Sequence, residues 1–157
     1  MNDESTRLDR MRYTKNTLSS RLAILAIVCD VLFFISLYKS DCETYYYTIL
    51  IGTSIVYNLV FMLATFLASE GVKNYQKGYT WLLIILGCGQ IVRIFIFPMQ
   101  AHNAVVNGEQ VMGDGQFIRI IVYLSLSAAC LFASAMINWR KTQALAAHIA
   151  SVEAAKA

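Results

Sequence analysis

Four apolar runs, residues 22–38, 47–68, 80–98 and 117–139, leave this chain very few ways to fold. The first, second and fourth hold 17, 22 and 23 residues, and a helix needs roughly 17–25 such residues to cross a bilayer. Away from the rim residue Arg119, only Asp30 and Arg93 carry a charge within them. The rest of the chain cannot supply a soluble surface. Of 157 residues, 57% are hydrophobic and 15% charged, against roughly 45–50% and 25% in soluble domains. The fold class read from this pattern is an all-α membrane protein, a four-helix transmembrane bundle of one domain.

Residues 1–20 form a basic lead-in, 21–141 the four-span domain and 142–157 a tail. Leu8 and Met11 give the lead-in a weak apolar face, enough for a short helix at a membrane surface. The first span could be mistaken for a signal peptide, since basic residues precede it. It exits through Leu37, Tyr38 and Lys39 with no small-x-small cleavage site and holds Asp30, so an uncleaved helix is expected. Tyr45, Tyr46 and Tyr47 open the second span, as expected of an interfacial aromatic belt. Pro98 ends the third, where a helix can stop without losing an interior hydrogen bond. In the loop that follows, Asn107-Gly108 between residues 104–106 and 109–112 predicts a small hairpin, because that dipeptide accepts positive φ. Leu145, Ile149 and Val152 recur at helical spacing, so the last helix is expected to run on into the tail.

Lysine and arginine set the expected orientation. Five lie in the N-terminal segment through Arg21, two in the loop after the second span (Lys73 and Lys77) and three in the tail. Lys39 and Arg119 fall on the other side. The positive-inside rule therefore predicts that both termini are cytoplasmic and the hairpin loop between helices 3 and 4 is outside.

Polar residues at membrane depth are the candidate site. A central charge costs roughly 2.5–3.5 kcal/mol on insertion scales, and each Leu, Ile, Val or Phe returns about 0.3–0.6 kcal/mol. The third span has eleven of these, so on the order of 3–6 kcal/mol offsets Arg93 and part of the cost of Gln90. Arg93 lies about 7 Å from the outer end of its span at 1.5 Å per residue. Its side chain leans toward the helix N-terminus, down to the level of Asp30. The expectation is a cluster of Asp30, Asn58, Gln90 and Arg93, with Ser54 and Tyr57 as neighbours. It can lock the bundle, let Arg93 snorkel outward, or hold a proton, ion or solute. In the fourth span Ser125, Ala129 and Ala133 lie four apart, a small-residue stripe expected to let helix backbones approach.

Other chemistry finds little support. His102 and His148 are the only histidines, and both lie outside the spans, which excludes bis-histidine haem within the bundle. No metal-ligand spacing, phosphate loop or nucleophile elbow occurs, so no cofactor and no metal is expected. Cys29, Cys88 and Cys130 lie in spans and Cys42 in a loop, with no CxxC pair for thiol redox work. Four basic residues beside three acids in the first 20 make a nucleic-acid arm a poor reading. The expected partners are the lipid bilayer and another membrane subunit or a second copy. Compactness and the absence of an N-x-S/T signal point to a bacterial inner membrane. The functional expectation is a non-enzymatic accessory or structural subunit of a larger membrane complex, transporters included. The alternative is a small homo-oligomeric transporter or channel using Asp30 and Arg93.

Overall fold

The computed structural model describes residues 3–11, 14–37, 45–96, 98–106, 108–110 and 112–154. Cys42 and the side chains of Tyr45, Tyr46 and Tyr47 lie outside what it describes, so the aromatic-belt expectation is not addressed. Its elements are α1 (Asp3–Met11), α2 (Thr17–Leu37), α3 (Tyr45–Lys73), α4 (Lys77–Ile96), α5 (Pro98–Asn103), β1 (Val105–Val106), β2 (Glu109–Gln110) and α6 (Asp114–Ala154). Four of these helices, α2, α3, α4 and α6, are long and apolar enough to cross a membrane. Helices suit that solvent because each satisfies its backbone hydrogen bonds within itself.

The four helices form a closed ring. Each packs on its sequence neighbour, and α6 returns to pack on α2 in the most extensive contact of all. The buried seams have a common period. On α2 they are Ser19, Ala23, Ala26, Asp30, Phe33 and Leu37; on α3, Ser54, Asn58, Phe61, Thr65, Ala68 and Val72. On α6 the seam is Ile120, Leu124, Ser127, Leu131, Ser134 and Asn138. Steps of three and four alternate throughout, the 3.5-residue period of helices that pack knobs-into-holes along a shallow left-handed crossing. The outer faces, with Val56, Leu59, Leu63, Ile85, Phe95 and Ile118, are left uncovered by protein. Lipid tails are as apolar as leucine, so this arrangement loses nothing by leaving them there.

Ser125 and Ala129 are exposed and Ala133 half-buried, so the small-residue stripe does not face the interior of the bundle. Ser127, Ala128, Ser134 and Ala135, turned roughly two residues around α6, do. Four-residue spacing marks a helix face but does not say which of several small faces meets a neighbour.

The ends of the bundle are finished differently. Between α3 and α4 the chain turns in a Schellman motif. The Gln76 N–H reaches the Gly71 carbonyl (3.3 Å), the Tyr75 N–H reaches that of Val72 (3.2 Å), and Tyr75 takes the left-handed position at φ 55°. Tyr79 then lies flat against Gly71, so close that a Cβ there would stand 2.0 Å from the ring. At the opposite end α5, begun by Pro98, tucks Ala101 into a cluster with Phe33, Leu37, Met112, Ile120 and Leu124. The His102 ring stacks on Phe117 with centroids 4.3 Å apart. Val105 pairs with Gln110 and Val106 with Glu109 in a short antiparallel ladder beside this cap, with Gly108 at φ 87°.

α6 runs unbroken for 41 residues, about 60 Å, twice the roughly 30 Å of a hydrocarbon core. Its last turns meet α1, where Asp9 and His148 approach to 2.8 Å. Leu145, Ile149 and Val152 are each half-buried in this region.

Candidate functional site

The charged pair sits where α2, α3, α4 and α6 face one another. The Arg93 Nη1 donates to Asp30 Oδ1 at 3.0 Å, and its Nη2 donates to Ser54 Oγ, also at 3.0 Å. Gln90, nearly one turn earlier on α4, donates from Nε2 to the same Asp30 oxygen at 3.0 Å. A longer contact of 3.4 Å joins Gln90 Nε2 to Ser127 Oγ, and Ser127 itself donates to the Ala26 carbonyl at 3.1 Å. Asp30 is 1% exposed, Gln90 0% and Arg93 7%. A guanidinium so far from water needs neighbours that favour its charge, and two aromatic rings lie close to it. Its central carbon lies 4.2 Å from the Phe33 centroid and 4.6 Å from that of Tyr57. Such cation–π contacts are worth about 2 kcal/mol or more when desolvated.

Of the residues singled out in the sequence, the structure brings together Asp30, Gln90, Arg93, Ser54 and Tyr57. Asn58 is buried at the same depth, yet neither atom of its amide has a hydrogen-bond partner among the described residues. Asp30 Oδ2 and Gln90 Oε1 are likewise unpartnered there. Ser125, Ala129 and Ala133 take no part in the cluster.

Sequence reasoning missed Phe33 and Ser127. Phe33 lies three residues beyond Asp30, on the same face of α2, and that spacing was a usable signal. Ser127 belongs to a polar ladder along the α2–α6 seam that hydrophobicity does not reveal. In that ladder Ser19 and Ser134 each donate to the other's carbonyl, at 2.8 and 2.7 Å. Asn16 donates to Asn138 Oδ1 at 3.1 Å and accepts from Lys141 at 3.0 Å. Asn138 passes its own amide to Thr80 Oγ1 at 2.7 Å and to the Gln76 carbonyl at 3.3 Å. Across the other seam Ser20 and Ser69 share a hydrogen bond of 2.9 Å. Ser127, Ser134 and Asn138 recur at seven and four residues, the period of the buried seam itself.

Among the described residues no group of three or more His, Cys, Asp or Glu could hold a metal. Cys29, Cys88 and Cys130 are free thiols. His102 and His148 stand at opposite ends of the molecule, each beside a carboxylate. Comparison with protein-family profiles, curated proteins and solved structures finds no match. The chemistry of the cluster is therefore read from its own geometry. What it does by geometry is tie one residue or more from each spanning helix into a single hydrogen-bonded set.

Proposed function

We propose that this chain is a non-enzymatic integral membrane protein serving as an accessory or structural subunit of a larger membrane complex, its buried charge cluster acting as the lock of the bundle. The observation that carries this reading is that the partners of Arg93 come from the bundle itself. Its Nη1 donates to Asp30 on α2, its Nη2 to Ser54 on α3, and the Phe33 and Tyr57 rings lie 4.2 and 4.6 Å from its central carbon. Removing one member of a buried ion pair costs about 3–5 kcal/mol, so the cluster holds helix positions that the apolar seams alone leave less defined. A locked bundle does its work through its outside. Both termini are assigned to the cytoplasm on the lysine and arginine distribution, and a bacterial inner membrane is the proposed location.

Gentle detergent extraction of tagged protein, read by native mass spectrometry, tests this. A stoichiometric second polypeptide is expected, and a chain recovered only alone or with copies of itself overturns the subunit reading.

A second reading, a small homo-oligomeric transporter or channel, is favoured by one observation. The unpartnered oxygens of Asp30, Asn58 and Gln90 are the groups a coupling site would use. On that reading Asp30→Asn abolishes proton- or ion-coupled flux in reconstituted vesicles, and undiminished flux removes it.

A further inference from the structure

The unsatisfied atoms of the cluster lie at one level of the bundle. The Ser20–Ser69 hydrogen bond fixes the antiparallel register of α2 and α3. Counting ten residues outward from Ser20 gives Asp30, and eleven back from Ser69 gives Asn58, so the two differ in height by about 1.5 Å. On α4, Gly89 faces the Tyr57 hydroxyl, which an added Cβ would approach to 3.0 Å. Gln90 is joined to Asp30 directly. Three helices thus turn a carboxylate, a primary amide and a second primary amide toward one interior layer. Asp30, Asn58 and Gln90 are 1%, 2% and 0% exposed.

What these groups lack is specific. Asp30 Oδ2, Gln90 Oε1 and Asn58 Oδ1 can only accept hydrogen bonds, while Asn58 Nδ2 can only donate. We infer that this layer is a binding site for an internal water molecule, which donates to Asp30 Oδ2 and Gln90 Oε1 and accepts from Asn58 Nδ2. Buried waters make about three hydrogen bonds to otherwise unsatisfied polar groups, and one water serves three of the four atoms of this layer, Asp30 Oδ2, Gln90 Oε1 and Asn58 Nδ2, with the correct split of donors and acceptors. The water stays between the helices because all three partners are held by the bundle. A monovalent cation would also find oxygens here, but it would add charge beside Arg93, which the neutral ligand does not. The inference goes beyond the structural reading and is independent of whether the chain serves as a subunit or a transporter.

Radiolytic hydroxyl labelling of the full-length protein in detergent tests it, since radicals formed at a bound water modify the side chains beside it. Phe33 and Phe61 are both fully buried and lie on the seams next to Asp30 and Asn58. After correction for intrinsic reactivity, their labelling is expected to exceed that of Leu83 and Leu131, which are equally buried in the apolar core, by several-fold. In Asn58→Leu the Phe61 signal is expected to fall to that of the two leucines. Wild-type labelling at the leucine level overturns the inference, as it would if the Asn58 and Gln90 amides bonded each other directly. That arm decides the matter even if Asn58→Leu does not fold. Unchanged labelling in a folded Asn58→Leu protein also overturns it.

Discussion

Arg93→Leu is the perturbation that most directly probes the lock. The substitution removes the ion pair to Asp30, the hydrogen bond to Ser54 and the contact with two rings, while leaving an apolar side chain of smaller volume. Among the described side chains Asp30 then keeps the Gln90 amide as its donor, 1% exposed and at membrane depth. The loss from stranding a buried partner is about 3–5 kcal/mol. The ring contacts do not simply add to it, because neighbouring contributions are coupled. Asp30→Asn relieves the stranded charge, so the double variant should recover much of the loss, giving a coupling of roughly 2–3 kcal/mol in a double-mutant cycle. The appropriate assay is reversible unfolding by denaturing detergent in mixed micelles, in which the helices persist and their packing is lost. A coupling below about 0.5 kcal/mol, the size of ordinary non-additivity between distant sites, would refute the claim that this pair holds the bundle together.

Two other substitutions test how the bundle ends are built. Gly71→Ala puts a Cβ 2.0 Å from the Tyr79 ring and should lower stability by about 1–3 kcal/mol, as overpacking does. Tyr79→Leu in the same chain should restore part of it, and an unaltered unfolding midpoint in Gly71→Ala would count against the packing described. Asn138→Leu leaves Asn16 and Thr80 without their shared partner, a loss of about 1–3 kcal/mol for each buried group left unsatisfied. Faster amide exchange at the start of α2 should accompany it, and exchange indistinguishable from wild type would show that the ladder does not anchor that end.

The charged pair was legible in the sequence for a simple reason. A charge within an apolar run does not favourably face lipid, so Asp30 and Arg93 are expected to turn inward, and because the first and third spans run in the same direction the N-terminal lean of Arg93 brings it toward the level of Asp30. The seams were harder to see. In a soluble bundle the buried face stands out by hydrophobicity, but here Ile85 and Val92 face outward while Ser127 and Asn138 face inward. Side-chain size and hydrogen bonding distinguish the two faces, and neither follows from an apolar count. Ser125, Ala129 and Ala133 share a face by their spacing, while the small residues buried within the bundle lie on nearly the opposite face of α6. The rings over Arg93 were half-visible. Tyr57 neighbours Asn58 in sequence and was included, whereas Phe33 looked like one more apolar residue of its span.

The continuity of α6 has a mechanical meaning. Between Ser127 in the polar layer and His148 against α1 there are 21 residues, a rod of about 31 Å with neither proline nor glycine to act as a hinge. Such a rod transmits rotation and tilt rather than absorbing them. A tilt of about 5° pivoted at Ser127 carries the far end through about 3 Å, enough to part Asp9 from His148. Leverage runs the other way as well, so whatever takes hold of the protruding end of α6 has a purchase on the charge cluster through a single stiff arm.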